Sequence, residues 1–136
     1  VLLTIPMDKS YETQVKVHVG EQNTAGLLLY YRKHVFAGIT TDGKDFIIYS
    51  NAKNKKVLPN KIGNHFFLKI INQRNICKIL VSKDDKRWMT LAENINVKEM
   101  NHNNHNGFKS LRIALFSAGT GKAQFERFKY EGIDKN

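Results

Sequence analysis

Tyr11-Glu-Thr-Gln-Val-Lys-Val-His-Val19 alternates without a fault. In an extended chain Tyr11, Thr13, Val15, Val17 and Val19 point one way, and Glu12, Gln14, Lys16 and His18 point the other. A period of two with one apolar side predicts an antiparallel strand, half in a core and half in solvent. Gly20–Thr24 then reads as a turn. Ala25–Tyr31 is apolar on both faces, with Leu27, Leu29 and Tyr31 on one and Leu28 and Tyr30 on the other. It reads as a central strand covered on both sides.

The same reading extends outward. Val1–Ile5 is a strand, and His34–Thr40 and Phe46–Tyr49 flank a turn at Asp42-Gly43, a strong hairpin signal. Asn51–Asn60 reads as a basic, polar connection. His65–Ile71 and Ile76–Ser82 pair across Asn72–Asn75, and Arg87–Leu91 is a short strand. Asn94–Asn106, with six Asn and two His, reads as a long loop. Leu111–Phe116 and Ala123–Tyr130 are joined by a glycine-rich turn, Ala118–Gly121. The apolar phase slips between Phe125 and Phe128, which predicts a β-bulge at Glu126-Arg127 rather than a helix. About ten short strands without a convincing helix imply an all-β, antiparallel two-sheet β-sandwich of jelly-roll type. Val15, Val17, Ile113, Leu115, Phe125 and Phe128 are its expected core.

With 136 residues and no internal repeat or linker, one sandwich domain over 1–136 is expected. The absence of any targeting pattern, together with a strand already in progress at Val1, suggests a C-terminal part of a longer chain. No apolar run approaches the roughly 18 residues of a membrane span, so no membrane partner is expected. The net charge of +10 favours polyanions or simple solubility. Cys77, the single cysteine, sits in an apolar strand and reads as a buried, inert thiol.

Most chemical motifs dissolve on inspection. Ala118-Gly-Thr-Gly-Lys122 resembles a phosphate loop, but position 116 is Phe and position 123 is Ala, so a tight turn is the better reading. His102 and His105 lie in the Asn-rich loop, which offers no scaffold for a metal. His18, His34 and His65 lie on separate strands and would converge only by accident of fold. Glycoside hydrolysis needs two carboxyls flanking the bond, and the twelve acidic residues fall mostly in turns or on solvent faces. Lys53, Lys55, Lys56 and Lys61 form the densest basic cluster, without the aromatics that stack bases. The aromatics are the richer field, and Tyr30, Tyr31, Phe36, Phe46, Tyr49 and Trp88 are each either core or a stacking platform.

Three stretches carry a resemblance. Tyr11–Val19 followed by Ala25-Gly-Leu-Leu-Leu-Tyr-Tyr31 is similar to Y-x-x-x-v-x-v and then A-G-L-x-x-y-y. Val81-Ser-Lys-Asp-Asp-Lys-Arg-Trp88 is similar to y-S-x-D-G-x-x-W. Arg112–Phe116, Gly119–Phe125 and Phe128–Gly132 follow r-i-g-L-f-a-x-G-x-g-x-a-x-F-x-x-F-x-Y-x-G. Together these resemble the C-terminal concanavalin A-like β-sandwich of family 43 glycoside hydrolases, the β-xylosidases and α-arabinofuranosidases. One departure is Asp85 where the pattern has Gly; Asp tolerates φ > 0 better than most residues, so the turn is expected to survive.

The resemblance implies an ancillary, non-catalytic domain of a bacterial xylan- or arabinan-degrading enzyme, packed on an N-terminal catalytic domain of the parent chain. No residue is carried over as catalytic, and no cofactor is implied, with a structural calcium ion left open. Periplasmic or extracellular placement is favoured over cytoplasmic. Oligosaccharide is the second expected partner. Tyr30 is expected on the outer surface, with Tyr49 and Arg32 near it and Trp88 as a further carbohydrate-binding candidate. The competing readings are a free-standing lectin-like carbohydrate-binding module, and a basic module for nucleic acid or acidic polysaccharide, of which nucleic acid is disfavoured.

Overall fold

The computed structural model describes residues 2–4, 10–32, 35–50, 55–98 and 112–133. They form eleven strands: β1 (Leu2–Thr4), β2 (Ser10–His18), β3 (Asn23–Arg32), β4 (Val35–Thr41), β5 (Asp45–Tyr49), β6 (Lys55–Pro59), β7 (His65–Gln73), β8 (Ile76–Ser82), β9 (Met89–Asn96), β10 (Arg112–Gly119) and β11 (Gln124–Gly132). Six strands build one sheet in the order β1-β10-β3-β4-β5-β6, and five build the other in the order β11-β2-β7-β8-β9. All pairings are antiparallel.

The alternation in β2 decides the packing. Tyr11, Thr13, Val15, Val17 and Val19 are all buried. They meet Leu27, Leu29, Ile39 and Phe46 from the six-stranded sheet and Phe66, Leu68 and Ile70 from their own. Phe46 and Phe66 meet edge to face across the interior, with centroids 5.5 Å apart. Ile113 and Leu115 are buried as expected, and Phe125 is half-buried against the core.

The turns follow their chemistry. Arg74 and Asn75 both take positive φ (49° and 75°), which a two-residue hairpin of type I′ requires. At the Asp42-Gly43 turn, Asp42 Oδ1 accepts from the Lys44 and Asp45 amides. In the β8–β9 turn, Ser82 Oγ accepts from the Asp84 and Asp85 amides, and Asp84 Oδ1 accepts from those of Lys86 and Arg87. Asp85 does take positive φ (65°). Its carboxylate accepts from Gln14 Nε2 at 2.9 Å, which helps to bury Gln14 on the outer face of β2.

Several expectations need correction. Asn51–Asn60 contains a strand, β6, paired to β5 from Tyr49↔Lys55 to Asp45↔Pro59. It is a sheet edge, where lysines and a terminal proline are at home, so it carries no alternation to read. Arg87 belongs to the turn, held by Asp84, and β9 runs on to Asn96, into the expected loop. Residues 99–106 of that loop, with His102 and His105, lie outside the described residues, as does His34. The bulge is present: pairing jumps between Glu126 and Lys129, Arg127 takes φ 53°, and Thr13 Oγ1 donates to the Lys129 carbonyl at 3.0 Å. Phe128, expected in the core, is 39% exposed. It sits inside the bulge of β11, an edge strand with no further strand beside it among the described residues.

Candidate functional site

The outer face of the six-stranded sheet carries a groove of about 570 Å³. Its residues come from the parity opposite to the core. Leu27 and Leu29 point inward, so Leu28 and Tyr30 point outward. Register then assembles the rows. Tyr30 stands opposite Phe36 on one side and Arg112 on the other. Ala114, Leu28, Gly38 and Tyr49 form the next row, and Phe116, Gly26 and Thr40 the one after.

Three aromatic rings wall one end. Tyr30 and Phe36 stack with centroids 6.4 Å apart, and Phe36 meets Tyr49 edge-on at 5.2 Å. Phe116 lines the groove further along. Gly26 and Gly38 lie in these rows, where a Cβ would run into the backbone of the neighbouring strand. Thr40 lies in the floor and is 4% exposed, yet its Oγ1 has no hydrogen-bond partner. Arg112 Nε is also buried without a partner. Buried polar groups are nearly always paired, and each exception asks for an explanation such as an absent ligand.

The expected sugar-contact residues separate. Tyr30 and Tyr49 share the groove, joined through Phe36. Arg32 ends β3, where the pairing shifts between Tyr30 and Arg32; its side chain lies outside the described residues. Trp88 is on the other sheet, half-buried over Phe67 (centroids 6.5 Å) with Lys69 Nζ 4.0 Å from its ring. It is neither in the core nor in the groove. Arg112, Thr40 and Phe116 were not singled out as site residues. Their parity is readable, but their neighbours depend on β10 entering the sheet beside β3, which no local pattern reveals.

Other chemistry is sparse. His18 and His65, expected to converge only by accident of fold, do meet, paired in register with rings stacked at 3.9 Å. Adjacent strands place directly opposed side chains side by side. Among the described residues no group of three or more His, Cys, Asp or Glu could hold a metal ion. Among the described residues two carboxyls have clearly displaced titration. Backbone amides hold Asp42 below its ordinary range, and those of Arg87 and Lys86 pull Asp84 down to about 2. That is the opposite of the raised value a general acid needs. Lys55 and Lys56 line a second hollow of about 600 Å³ between the β5–β6 edge and β9, beside Glu93 and without an aromatic ring.

Solved structures share this architecture. A family 43 glycoside hydrolase protein of Bacillus licheniformis superposes with a TM-score of 0.76 at 16% identity, covering 96% of this chain and 29% of that one. A xylan beta-1,4-xylosidase of Bacillus halodurans gives 0.75 at 18%, covering 93% and 28%. A carbohydrate-binding module of Bacillus subtilis gives 0.56 at 12%, covering 90% and 75%. At such identities the likeness is one of fold. The chain spans less than a third of the two Bacillus glycoside hydrolase structures. Comparison with curated protein sequences gives no match. Residues 7–131 match the model of the beta xylosidase C-terminal concanavalin A-like domain, and the chain, a concanavalin A-like β-sandwich, belongs to that family.

Proposed function

We propose that this chain is a non-hydrolytic ancillary domain of a bacterial xylan- or arabinan-degrading glycoside hydrolase, which packs on the catalytic domain and holds a pentose oligosaccharide in the groove of its six-stranded sheet. The observation that carries the sugar reading is the pairing of aromatic walls with an unpartnered buried hydroxyl. Tyr30, Phe36 and Tyr49 offer ring surfaces to the C–H face of a sugar, and Thr40 Oγ1 waits in the floor for one of its hydroxyls. Aromatic contacts of this kind contribute about 0.5–1.5 kcal/mol each beyond area burial. Among the described residues, the clearly displaced carboxyls, Asp42 and Asp84, are lowered rather than raised, which supports a role without hydrolysis.

A second reading is favoured by the remaining lining. Leu28, Ala114, Phe116 and Ala118 are apolar, and an apolar groove also suits docking of the catalytic domain. Titration calorimetry with xylo- and arabino-oligosaccharides separates the two. The sugar reading expects binding that Tyr30→Ala or Tyr49→Ala weakens about fivefold or more, on the scale of one aromatic contact. No heat from any oligosaccharide with the unmutated chain would remove the site. A complex with a separately expressed catalytic domain, lost in Tyr30→Asp, would then establish docking. Neither aryl xyloside nor aryl arabinoside should be hydrolysed by the chain alone.

A further inference from the structure

Beside the groove, Arg112 carries a guanidinium for which the described residues show no carboxylate partner. Arg112 opens β10 directly opposite Tyr30. It shares the outer face with Ala114 and Phe116, because Ile113 and Leu115 between them are core. Directly opposed residues in an antiparallel pair hold their Cβ atoms roughly 4.5–5.5 Å apart, so the Arg112 stem lies beside the Tyr30 ring. Its Nε is buried and unpaired. The ion pair Glu12–Lys69 lies on the other sheet. Burying part of a permanent cation without a partner is unfavourable. The planar fork of a guanidinium matches a carboxylate with two parallel hydrogen bonds, which makes a carboxylate the natural missing partner.

We infer that the groove selects an acidic pentose oligosaccharide, one bearing a uronic acid branch whose carboxylate binds Arg112 while a ring hydroxyl binds Thr40 Oγ1. This rests on the sugar reading of the groove and names its ligand class. The two unpartnered groups divide the task. Thr40 lies in the floor among the aromatic rings and serves any pentose chain. Arg112 lies at the rim and serves only a chain that carries a negative charge. The net charge of +10 adds a long-range attraction for such a chain.

The test is calorimetry of the intact chain with two xylo-oligosaccharides of equal length, one unsubstituted and one carrying a single glucuronic acid branch. The branched sugar should bind about tenfold tighter, on the scale of one charge-assisted contact. Arg112→Gln should abolish that preference, bringing the two sugars to equal affinity, while Arg112→Lys should restore only part of it. Methyl-esterifying the branch should erase the preference in the unmutated chain, an arm that needs no variant to fold. Equal affinity for the two sugars, or a preference that survives either Arg112→Gln or esterification, overturns the inference while the sugar reading stands. Binding of neither sugar removes the sugar reading itself, and the inference with it.

Discussion

Lys69 Nζ stands 4.0 Å from the centroid of the Trp88 ring and 3.1 Å from Glu12 Oε1. One ammonium thus holds an indole and a carboxylate to the outer face of the five-stranded sheet. The indole in turn shields Phe67, which is only 5% exposed although it points away from the core. A solvent-side aromatic is kept dry by a roof, and Lys69 braces that roof by a cation–π contact.

Trp88→Ala should therefore destabilise the domain by about 2–3 kcal/mol, below the range for fully buried tryptophan because the ring is half-exposed. Urea unfolding with unchanged slope would check it. Oligosaccharide affinity should not change, since the groove is on the opposite sheet. A loss of stability under about 0.5 kcal/mol, the usual surface range, would show that the roof contributes nothing.

Gly38→Ala should be far more disruptive than its size suggests. Gly38 has φ +142°, and a methyl group there would meet the Leu27 carbonyl and approach Leu28 Cα to 2.7 Å. Both obstacles are backbone of the neighbouring strand and cannot swing aside. We expect a loss of about 2 kcal/mol or more, combining overpacking with a backbone that L residues avoid, read as a lower urea midpoint. A fall of less than about 0.5 kcal/mol would mean that the two strands can part at little cost.

Asp84 makes the β8–β9 turn sensitive to acid. Amides of Arg87 and Lys86 hold its carboxyl at about 2, against about 3.9 for an unperturbed aspartate. A depressed folded value means that the charged form is favoured by folding. The contribution is complete above the unperturbed value and disappears as pH falls through about 2. Asp84→Asn should lower the melting temperature at neutral pH, and its gap to the parent should close as pH drops from about 4 to about 2. A gap that stays constant across that window would assign the loss to shape rather than charge.

Cys77 should be silent to thiol reagents in the folded chain. It is 3% exposed, and burial pushes its thiol up to about 12. Colour development with an aromatic disulfide should follow the rate of unfolding and become rapid in urea. Immediate stoichiometric reaction of the native chain would contradict the packing of β8.

Much of this molecule could be read ahead of its structure, and the gaps have a common cause. Alternation from Tyr11 to Val19 identified the core face because a strand's two faces are set by parity alone. The slip between Phe125 and Phe128 identified the bulge for the same reason. Parity did not foresee that Phe128 stays exposed, which depends on β11 being an edge. β6 escaped notice because Lys55-Lys56-Val57-Leu58-Pro59 pairs on one side only and buries little. In the groove, Tyr30 and Tyr49 were legible as outward aromatics. Arg112 and Thr40 were not, since their significance lies in what stands across from them. The stacking of His18 on His65 is likewise a matter of register between distant segments.

The position of β10 has a consequence for how the chain comes to be folded at all. It is inserted between β1 and β3, while β11 covers the edge of β2. Neither sheet is complete until residues 112–132 have joined strands made more than 80 positions earlier. A ribosome releasing this chain would hold out the half-built groove face, Leu28 and Tyr30 included, to the surrounding solution until β10 emerged. Such late, long-range closure is slow, and it favours encounters with chaperones or with neighbouring nascent chains. The strand that supplies Arg112 to the groove therefore also sets the moment at which the domain becomes safe from aggregation.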